Sequence, residues 1–270
     1  MSAQHHPGYA LITGASSGIG ATYAQRLAAR GYDVILVARD TARLTALAET
    51  LTQQYGVQSE VFPADLTQED DLQRVEVLLQ QNPHISLLLN NAGMSVEGSF
   101  LSAEITQVES MLALNIMAPT RLAQAAGRAF QARNSGTIIN IASVVALMHE
   151  KFNGAYNATK SYILMLTRAM QSELAGSEVH IQAVLPGLTR TEIFDRAGMP
   201  ISNIPAEMLM EAEDMVDAAL TGLDNGEQVT IPALEDLALW QEYDDARSAM
   251  LPFLSFRQPA SRYRQKTPSV

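Results

Sequence analysis

Short apolar runs alternate with longer amphipathic segments along almost the whole chain, and few folds satisfy that pattern. The runs Asp33–Ala38 and Ile85–Asn90 are nearly continuous in apolar residues, which is typical of strands covered on both faces. Between such runs, segments such as Thr41–Tyr55 place apolar residues at helical spacing. Parallel strands joined by helical crossovers produce this alternation. We therefore expect an α/β fold, a three-layer, doubly wound parallel sheet of about seven strands with helices on both faces.

The same alternation predicts where the elements lie. We expect six internal strands and a short seventh one, at 9–13, 33–38, 58–63, 85–90, 136–143, 180–186 and 229–231. Helices are expected after the first strand and at about 41–55, 69–81, 104–133, 155–175, 206–224 and 235–250. No linker interrupts the pattern, so we predict a single catalytic domain over 1–270. Its long loop, 188–210, is predicted to form a lid over a substrate.

Composition excludes several classes of protein. Of the 270 residues, 47% are hydrophobic and 17% are charged, which suits a packed core rather than a disordered chain. None is Cys, so disulfide scaffolds, thiolate metal sites and cysteine nucleophiles are excluded. The five histidines fall in no zinc-ligand spacing, so we expect no metal. We see no signal-like or membrane-spanning apolar run and expect a cytoplasmic protein.

Charge is unevenly distributed and argues against polyanionic partners. The net charge is −11, and residues 201–250 hold twelve acids and one base, a segment that we interpret as solvated helix surface. A negative field disfavours binding to nucleic acid or anionic membranes. The last twenty residues, 251–270, form a basic tail with four Lys or Arg and no acid. We predict that this tail lies against an acidic surface of the same or a neighbouring subunit.

A glycine-rich turn directly follows the first predicted strand. Gly14, Gly18 and Gly20 are spaced G-x₃-G-x-G, and the last of them opens a helix. Helix N-termini present unpaired N–H groups and the positive end of a dipole, and glycines let a pyrophosphate approach the backbone. The turn therefore predicts phosphate binding. A tight strand-to-helix turn without a ligand is the alternative interpretation.

A basic residue stands where NAD-specific sites place an acid. The second predicted strand ends at Ala38, and Arg39 follows it, nineteen positions beyond Gly20. Arg39 favours a ribose 2′-phosphate, which Ser16 in the turn and Arg43 one helical turn later could share. We therefore predict NADP(H) as the cofactor. The alternative is an ordinary Arg at the start of an exposed helix.

Tyr156 and Lys160 form the third chemical signal. Residues four apart on a helix share a face, so the phenol and the ammonium project toward the same space. A nearby cation favours the phenolate, so we expect Lys160 to lower the pKa of Tyr156 and to make it a general acid or base. Ser143, thirteen residues earlier at a predicted strand end, could hold the substrate oxygen. An ordinary helix pair, with Tyr packed and Lys solvated, is the alternative.

These motifs resemble those of the short-chain dehydrogenase/reductase family. The resemblance rests on TGASSGIG, NNAG at 90–93, Asn115, Ser143, YNATK at 156–160 and PGLTRT at 186–191. It spans roughly Tyr9 to Thr191 and implies a Rossmann-type sheet and a homodimer or homotetramer. It also implies that Asn115 kinks its helix and holds a water on Lys160, which completes a proton relay.

The resemblance further implies how a cofactor is held. Asp65 and Leu66 would lie beside the adenine, NNAG would close the pocket, and PGLTRT would face the nicotinamide. With the turn and the basic residues, the predicted cofactor-binding set is Gly14, Ser16, Ser17, Gly18, Ile19, Gly20, Arg39, Arg43, Asp65, Leu66, Asn91, Ala92, Gly93, Tyr156, Lys160, Pro186, Gly187 and Thr191.

The chemistry of the motifs and the family resemblance together predict an NADPH-dependent oxidoreductase acting on a ketone, an aldehyde or a secondary alcohol. The predicted catalytic residues are Asn115, Ser143, Tyr156 and Lys160. Two alternatives stay open: an NADP(H)-binding redox sensor without turnover, and a sugar-nucleotide epimerase or dehydratase. The substrate is expected to be a small, apolar molecule, because the loops after the strands are rich in apolar residues that could line a pocket or simply pack in the core. These are Met94, Val145, Leu147, Phe152, Leu188, Ile193, Phe194, Met199 and Met208.

Overall fold

The computed structural model describes residues 6–150, 153–192 and 201–263. A seven-stranded sheet lies at its centre, with strand order β3-β2-β1-β4-β5-β6-β7 and every neighbouring pair parallel. The strands are β1 Tyr9–Thr13, β2 Asp33–Ala38, β3 Ser59–Pro63, β4 Ile85–Asn90, β5 Gly136–Ile141, β6 Val179–Val184 and β7 Val229–Thr230. The predicted doubly wound parallel sheet of seven strands is confirmed.

Helices cover both faces of this sheet. They are α1 Gly18–Ala29, α2 Thr41–Tyr55, α3 Glu69–Gln81, α4 Ile105–Leu112, α5 Ala118–Ala132, α6 Gly154–Glu173 and α7 Ala212–Asp224; one more helix, α8 Leu237–Met250, follows in the C-terminal part of the chain. Alternate residues of a strand point to opposite faces, so Ile12 packs with α1, α2 and α7 while Leu11 packs with α3 and α5. Two buried apolar layers therefore sandwich the sheet.

The third strand is an edge strand, so the expectation that all of the first six strands are internal is wrong. β3 pairs only with β2, and its side chains are half-buried or exposed. The chain then returns across the sheet to place β4 on the other side of β1. The strand order reverses between β1 and β4, and this switch leaves a crevice at their carboxyl ends where ligands bind in such sheets.

The helix expected over 104–133 is interrupted in its middle. A π-helical turn, Ala113–Met117, separates α4 from α5. Pro119 lacks an N–H and cannot donate to the carbonyl of Asn115 four residues earlier, so a regular α-helix cannot run through this point. The π-helical turn contains Asn115, whose side chain is buried.

The helix expected from residue 206 begins only at Ala212. Residues 201–203 and 206–208 form short 3₁₀ turns instead. The backbone then extends because the N–H of Met210 donates to the carbonyl of Leu188 at 2.9 Å and its carbonyl accepts from Arg190 at 2.8 Å. This bridge ties both ends of the 188–210 loop together. Residues 193–200 of that loop, with the predicted Ile193, Phe194 and Met199, lie outside the described residues, as does Phe152.

The chain divides into two compact units, Met1–Pro232 and Ala233–Val270. The first holds the sheet. The second holds α8, a short 3₁₀ turn at Leu251–Phe253 and another at Ser261–Tyr263. The single domain over 1–270 stays a prediction, and the last part of the basic tail, 264–270, lies outside the described residues. No helix in the described part of the chain is both long and apolar enough to cross a membrane.

Candidate active site

The glycine turn after β1 is shaped by close backbone contacts. Gly14 has φ 67° and Gly18 has φ 52°, both in the left-handed region that favours glycine. A Cβ on Gly20 would overlap the carbonyl oxygen of Gly14 and would lie 2.6 Å from Nδ2 of Asn91. The turn therefore tolerates no side chain at Gly20, and it is packed against the segment that follows β4.

The N-terminus of α1 is left without a side-chain cap. Ser17 is the N-cap residue in extended conformation, and its side chain accepts no capping bond from the helix. The first-turn N–H groups thus keep their capacity to bind an anion. Thr191 lies over this turn, with its methyl carbon 3.0 Å from the position a Cβ on Gly18 would take. A bare turn with an uncapped helix end fits a dinucleotide pyrophosphate.

Thr13, which the sequence analysis did not single out, joins β1 to the NNAG segment. Its Oγ1 accepts from the N–H of Asn91 at 2.9 Å and from the N–H of Ala92 at 3.0 Å, and donates to the carbonyl of Leu89 at 3.1 Å. Nδ2 of Asn91 donates back to the Thr13 carbonyl at 2.9 Å. The available signals were its place as the first residue of TGASSGIG and as the polar residue that ends an apolar run. Thr13 fixes the two strand ends that flank the crevice.

Asp65 and Leu66, which the family resemblance implies lie beside the adenine, come just after the end of β3. Leu66 is buried, and one carboxylate oxygen of Asp65 accepts from the N–H and the hydroxyl of Thr67 at 3.0 and 2.8 Å. Asp65 also lies 3.9 Å from a guanidinium nitrogen of Arg39, which is 73% exposed. The turn after β3 therefore comes close to Arg39, the first residue after β2.

Arg43, by contrast, is already engaged by carboxylates. Its Nη1 lies 2.8 and 2.9 Å from the two carboxylate oxygens of Glu192, and its Nε lies 3.4 Å from Asp40. Asp40 also caps α2 by accepting from the N–H of Arg43 at 3.0 Å. Sharing of one phosphate by Ser16, Arg39 and Arg43 stays a prediction, and Glu192 is a charged residue that the sequence analysis missed.

Ser143 lies beyond β5 rather than at its end, since the strand stops at Ile141. Its Oγ donates to the carbonyl of Pro186 at 3.3 Å and accepts from the N–H of Val145 at the same distance, which caps a short 3₁₀ helix over Val144–Leu147. The hydroxyl of Ser161 on α6 donates to the carbonyl of Ala146 at 3.0 Å. This bond holds the 3₁₀ helix that Ser143 caps against α6, which carries Tyr156.

Tyr156 and Lys160 lie on the first two turns of α6. The buried Asn153 caps this helix by accepting from the N–H groups of Ala155 and Tyr156 at 2.9 and 3.4 Å. Nζ of Lys160 lies 5.7 Å from the ring centre of Tyr156 and donates to the carbonyl of Ile141 at 3.1 Å. The two side chains share a face of α6, as the spacing predicts.

Burial, not charge, controls the titration of this pair. Burial raises the pKa of Tyr156 to about 12 and lowers the pKa of Lys160 to about 8, because each charged form loses contact with water. The expectation that Lys160 brings the pKa of Tyr156 down is therefore wrong for this structure. The phenol is held in its protonated form at neutral pH.

Asn115 is held from two sides inside the protein. Its Oδ1 accepts from the N–H of Met94 at 2.9 Å, and its Nδ2 donates to the Met94 carbonyl at 2.8 Å and to Oγ1 of Thr159 at 3.2 Å. Oγ1 of Thr159 donates to the carbonyl of Tyr156 at 2.7 Å. Thr159 is a second residue that the sequence analysis missed, and it links Asn115 to the helix of Tyr156. A water-borne relay through Asn115 stays a prediction.

The NNAG segment meets the catalytic helix at Gly93. A Cβ on Gly93 would lie 3.3 Å from Oδ1 of Asn115 and 3.7 Å from Nζ of Lys160. After the end of β6, the carbonyl of Pro186 accepts a hydrogen bond from Ser143, and Gly187 has open space around its Cβ position. The predicted catalytic residues and the ends of β4, β5 and β6 therefore come together at one end of the sheet.

The predicted substrate-pocket residues separate into buried and exposed groups. Val145 is buried, and Met94 and Tyr156 pack on a small apolar cluster made of Val96, Val108 and Met111. Met208 is 55% exposed and Leu147 is 36% exposed. Core packing thus accounts for Val145, whereas Leu147 and Met208 present apolar surface on two of the loops that were expected to select the substrate.

Comparison with known proteins agrees with this geometry. Residues 8–200 match the family model of short chain dehydrogenases. A short-chain dehydrogenase from Sphingobium yanoikuyae in complex with NADPH is 46% identical, with a TM-score of 0.93 over 95% of this chain and 100% of that one. A bulky-bulky ketone specific alcohol dehydrogenase from Comamonas testosteroni is 40% identical, with a TM-score of 0.89 over 96% of this chain and 99% of that one. An uncharacterised oxidoreductase of Staphylococcus epidermidis is 29% identical over 82% of this chain and 93% of its own length.

Proposed function

Because the chain belongs to the short-chain dehydrogenase family, and is an oxidoreductase that uses a nicotinamide cofactor, we propose that it reduces ketones or aldehydes with NADPH and oxidises the corresponding alcohols with NADP. One observation carries this proposal: Gly93 of the NNAG segment approaches both Asn115 and Lys160, so the cofactor crevice and the catalytic helix share one space. The oxidoreductase of Staphylococcus epidermidis and the alcohol dehydrogenase of Comamonas testosteroni support the same chemistry.

The residues present fit a dinucleotide. The bare turn at Gly14, Gly18 and Gly20 and the uncapped N-terminus of α1 would hold the pyrophosphate, and Lys160 would hold the nicotinamide ribose. We propose NADP over NAD because the residue after β2 is Arg39, whose guanidinium is 73% exposed. The NADPH complex of the 46% identical relative supports this choice.

The protein supplies placement and proton chemistry. When bound, the cofactor supplies the hydride for the carbonyl carbon. Tyr156 donates its phenolic proton to the carbonyl oxygen: the phenol O–H bond breaks, the alcohol O–H bond forms, and a phenolate stays behind. Oγ of Ser143 would donate a hydrogen bond to the same oxygen. The ammonium of Lys160, 5.7 Å from the Tyr156 ring centre, is the proposed source of the proton that restores the phenol.

The protonated state of Tyr156 suits the reducing direction. A phenol with a pKa of about 12 is protonated at neutral pH, and it can donate to the oxygen of the reduced substrate because an alkoxide is a stronger base than a phenolate. Lys160, with a pKa of about 8, gives up its proton more readily than an exposed lysine and can return one to the phenolate. Asn115 would hold this path open toward solvent, in line with its bonds to Met94 and Thr159.

We propose an apolar, sterically bulky substrate. Met94 and Tyr156 pack on the same small apolar cluster, and Leu147 and Met208 expose apolar surface on two of the loops expected to select the substrate, which favours a hydrophobic carbonyl compound. The 40% identical relative is specific for bulky-bulky ketones, and this supports the same class here.

We further propose that the active form is a cytoplasmic homodimer or homotetramer. The second unit carries apolar side chains that are each more than half exposed in the single chain, a surface that suits burial against another copy. They are Leu237, Leu239, Tyr243, Met250, Leu251, Phe253, Leu254, Phe256 and Tyr263. Replacing Phe253 and Phe256 by Ser in the full chain should reduce the mass measured by light scattering. An unchanged mass would contradict a role for this surface in assembly.

A panel of carbonyl compounds tests the proposed activity. We expect NADPH absorbance to fall with bulky aryl or alkyl ketones, and to fall faster than with small ketones or with NADH as the donor. Phosphorylated sugars serve as polar controls. Tight NADPH binding without turnover of any carbonyl would contradict the proposed activity and favour a redox sensor.

A further inference from the structure

The two arginines next to the proposed 2′-phosphate site have very different surroundings. Arg39 is 73% exposed and lies 3.9 Å from Asp65, a distance beyond hydrogen bonding. Arg43 is 48% exposed and lies within 2.9 Å of both carboxylate oxygens of Glu192, with Asp40 at 3.4 Å. The charge of Arg43 is therefore largely compensated by the protein itself, whereas the charge of Arg39 is available to a ligand.

Glu192 reaches Arg43 from the far side of the cofactor crevice. It follows Thr191, whose methyl carbon packs at 3.0 Å over the Cβ position of Gly18 in the glycine turn. The Glu192–Arg43 pair thus connects the segment that lies over the pyrophosphate turn with the first helical turn of α2. A dinucleotide that runs from the glycine turn to the end of β2 must pass this pair.

We propose that Glu192 is a specificity-determining residue, which competes with the ribose 2′-phosphate for Arg43 and so weakens the preference for NADPH over NADH. The inference rests on the proposed function, since it concerns the same cofactor. A 2′-phosphate is a strong acceptor for a guanidinium, but here it must displace a carboxylate that already makes two contacts. It also meets the repulsion of Glu192 and Asp40.

NADH carries no phosphate at this position, so its binding neither displaces Glu192 from Arg43 nor meets this repulsion. Removing the negative charge of Glu192 should therefore raise the affinity for NADPH and leave the affinity for NADH nearly unchanged. Arg43 and Glu192 are both about half exposed, so the effect is of the size of a surface ion pair and weakens as salt increases.

Glu192→Gln tests the inference, and Glu211→Gln is a matched control. Glu211 pairs with Arg190 in the same loop at 2.8 Å, with similar exposure, but does not contact Arg43. Dissociation constants are measured by calorimetry for NADPH, NADH and 2′,5′-ADP, a fragment that carries the 2′-phosphate and no nicotinamide. We expect Glu192→Gln to bind NADPH and 2′,5′-ADP about fivefold more tightly, with NADH changed by less than about twofold. Glu211→Gln should change none of them.

Coupling between the two residues separates competition from an indirect effect. Arg43→Gln should weaken NADPH binding more in the Glu192→Gln background than in the wild type, because only there is the Arg43 guanidinium released from the Glu192 carboxylate. Equal losses in both backgrounds, or an unchanged NADPH-to-NADH affinity ratio in Glu192→Gln, would overturn the inference alone. A wild-type chain that binds neither dinucleotide would overturn the proposed function as well.

Discussion

The catalytic end of α6 and the charged rim around Arg43 lie along the same proposed cofactor path, yet they are built differently. Lys160 is 7% exposed and donates to the backbone carbonyl of Ile141, whereas Arg43 is 48% exposed and contacts carboxylate side chains. In the first region burial shifts pKa values, and in the second, water and salt screen every charge. Substitutions should therefore have large effects at the buried end and modest, salt-dependent effects at the rim.

Loss of the phenol at the buried end should have the largest effect. We expect Tyr156→Phe to reduce turnover about a thousandfold, since it removes the proton donor. NADPH affinity should stay within about twofold, because the ring and its packing on the apolar cluster of Val96, Val108 and Met111 are retained. Steady-state rates and calorimetric binding measure the two quantities. Tyr162→Phe, on the exposed side of the same helix, is the control and should leave turnover intact.

A methyl group in the glycine turn should be the next most damaging change. The added Cβ of Gly20→Ala overlaps the Gly14 carbonyl and presses on Asn91, so we expect a loss of about 2–4 kcal/mol in the free energy of unfolding. Gly187→Ala meets no atom within 4 Å and should change that free energy by less than about 0.5 kcal/mol. Urea denaturation of both variants measures the difference. Equal free energies of unfolding for Gly20→Ala and Gly187→Ala would show that the turn can accommodate a side chain at position 20.

The buried lysine should leave a signature in the dependence of stability on pH. The pKa of Lys160 is about 8 in the folded chain, against about 10.4 when unfolded, so between these values the folded chain binds fewer protons. The wild-type free energy of unfolding should therefore rise with pH across this window, relative to Lys160→Met, which has no proton to lose. Urea denaturation at a series of pH values gives the difference. A difference that is flat or falls from pH 8 to 10 would contradict the lowered pKa.

Effects at the rim should be smaller and unequal. We expect Arg39→Gln to weaken NADPH binding about tenfold and Arg43→Gln less than about threefold, because Glu192 and Asp40 already compensate Arg43. Both losses should shrink when the ionic strength is raised. Binding titrations with NADPH at low and high salt check this order. A larger loss for Arg43→Gln would make it, and not Arg39, the main phosphate ligand.

Local pattern predicted most of the fold because strands buried on both faces must be apolar throughout. β1, β2 and β4 therefore begin and end at the predicted residues. The pattern did not show that β3 is an edge strand, since β3 resembles the others in length and only the strand order decides its neighbours. The π-helical turn at Asn115 was not predicted either: Pro119 excludes a regular α-helix there, but the interruption also brings Asn115 into bonds with Met94, twenty-one residues away, which local pattern does not show.

Sequence alone determined the glycine turn, the shared face of Tyr156 and Lys160, and a basic residue after β2, because each depends on neighbours within a few positions. Tertiary structure decided how those groups behave. It packed the half-buried Tyr156 on a small apolar cluster and so raised a pKa that sequence reasoning expected to fall, and it brought Glu192 across the crevice to Arg43. Solvent exposure and ion pairing are set by which distant segments pack together, and no local spacing encodes that.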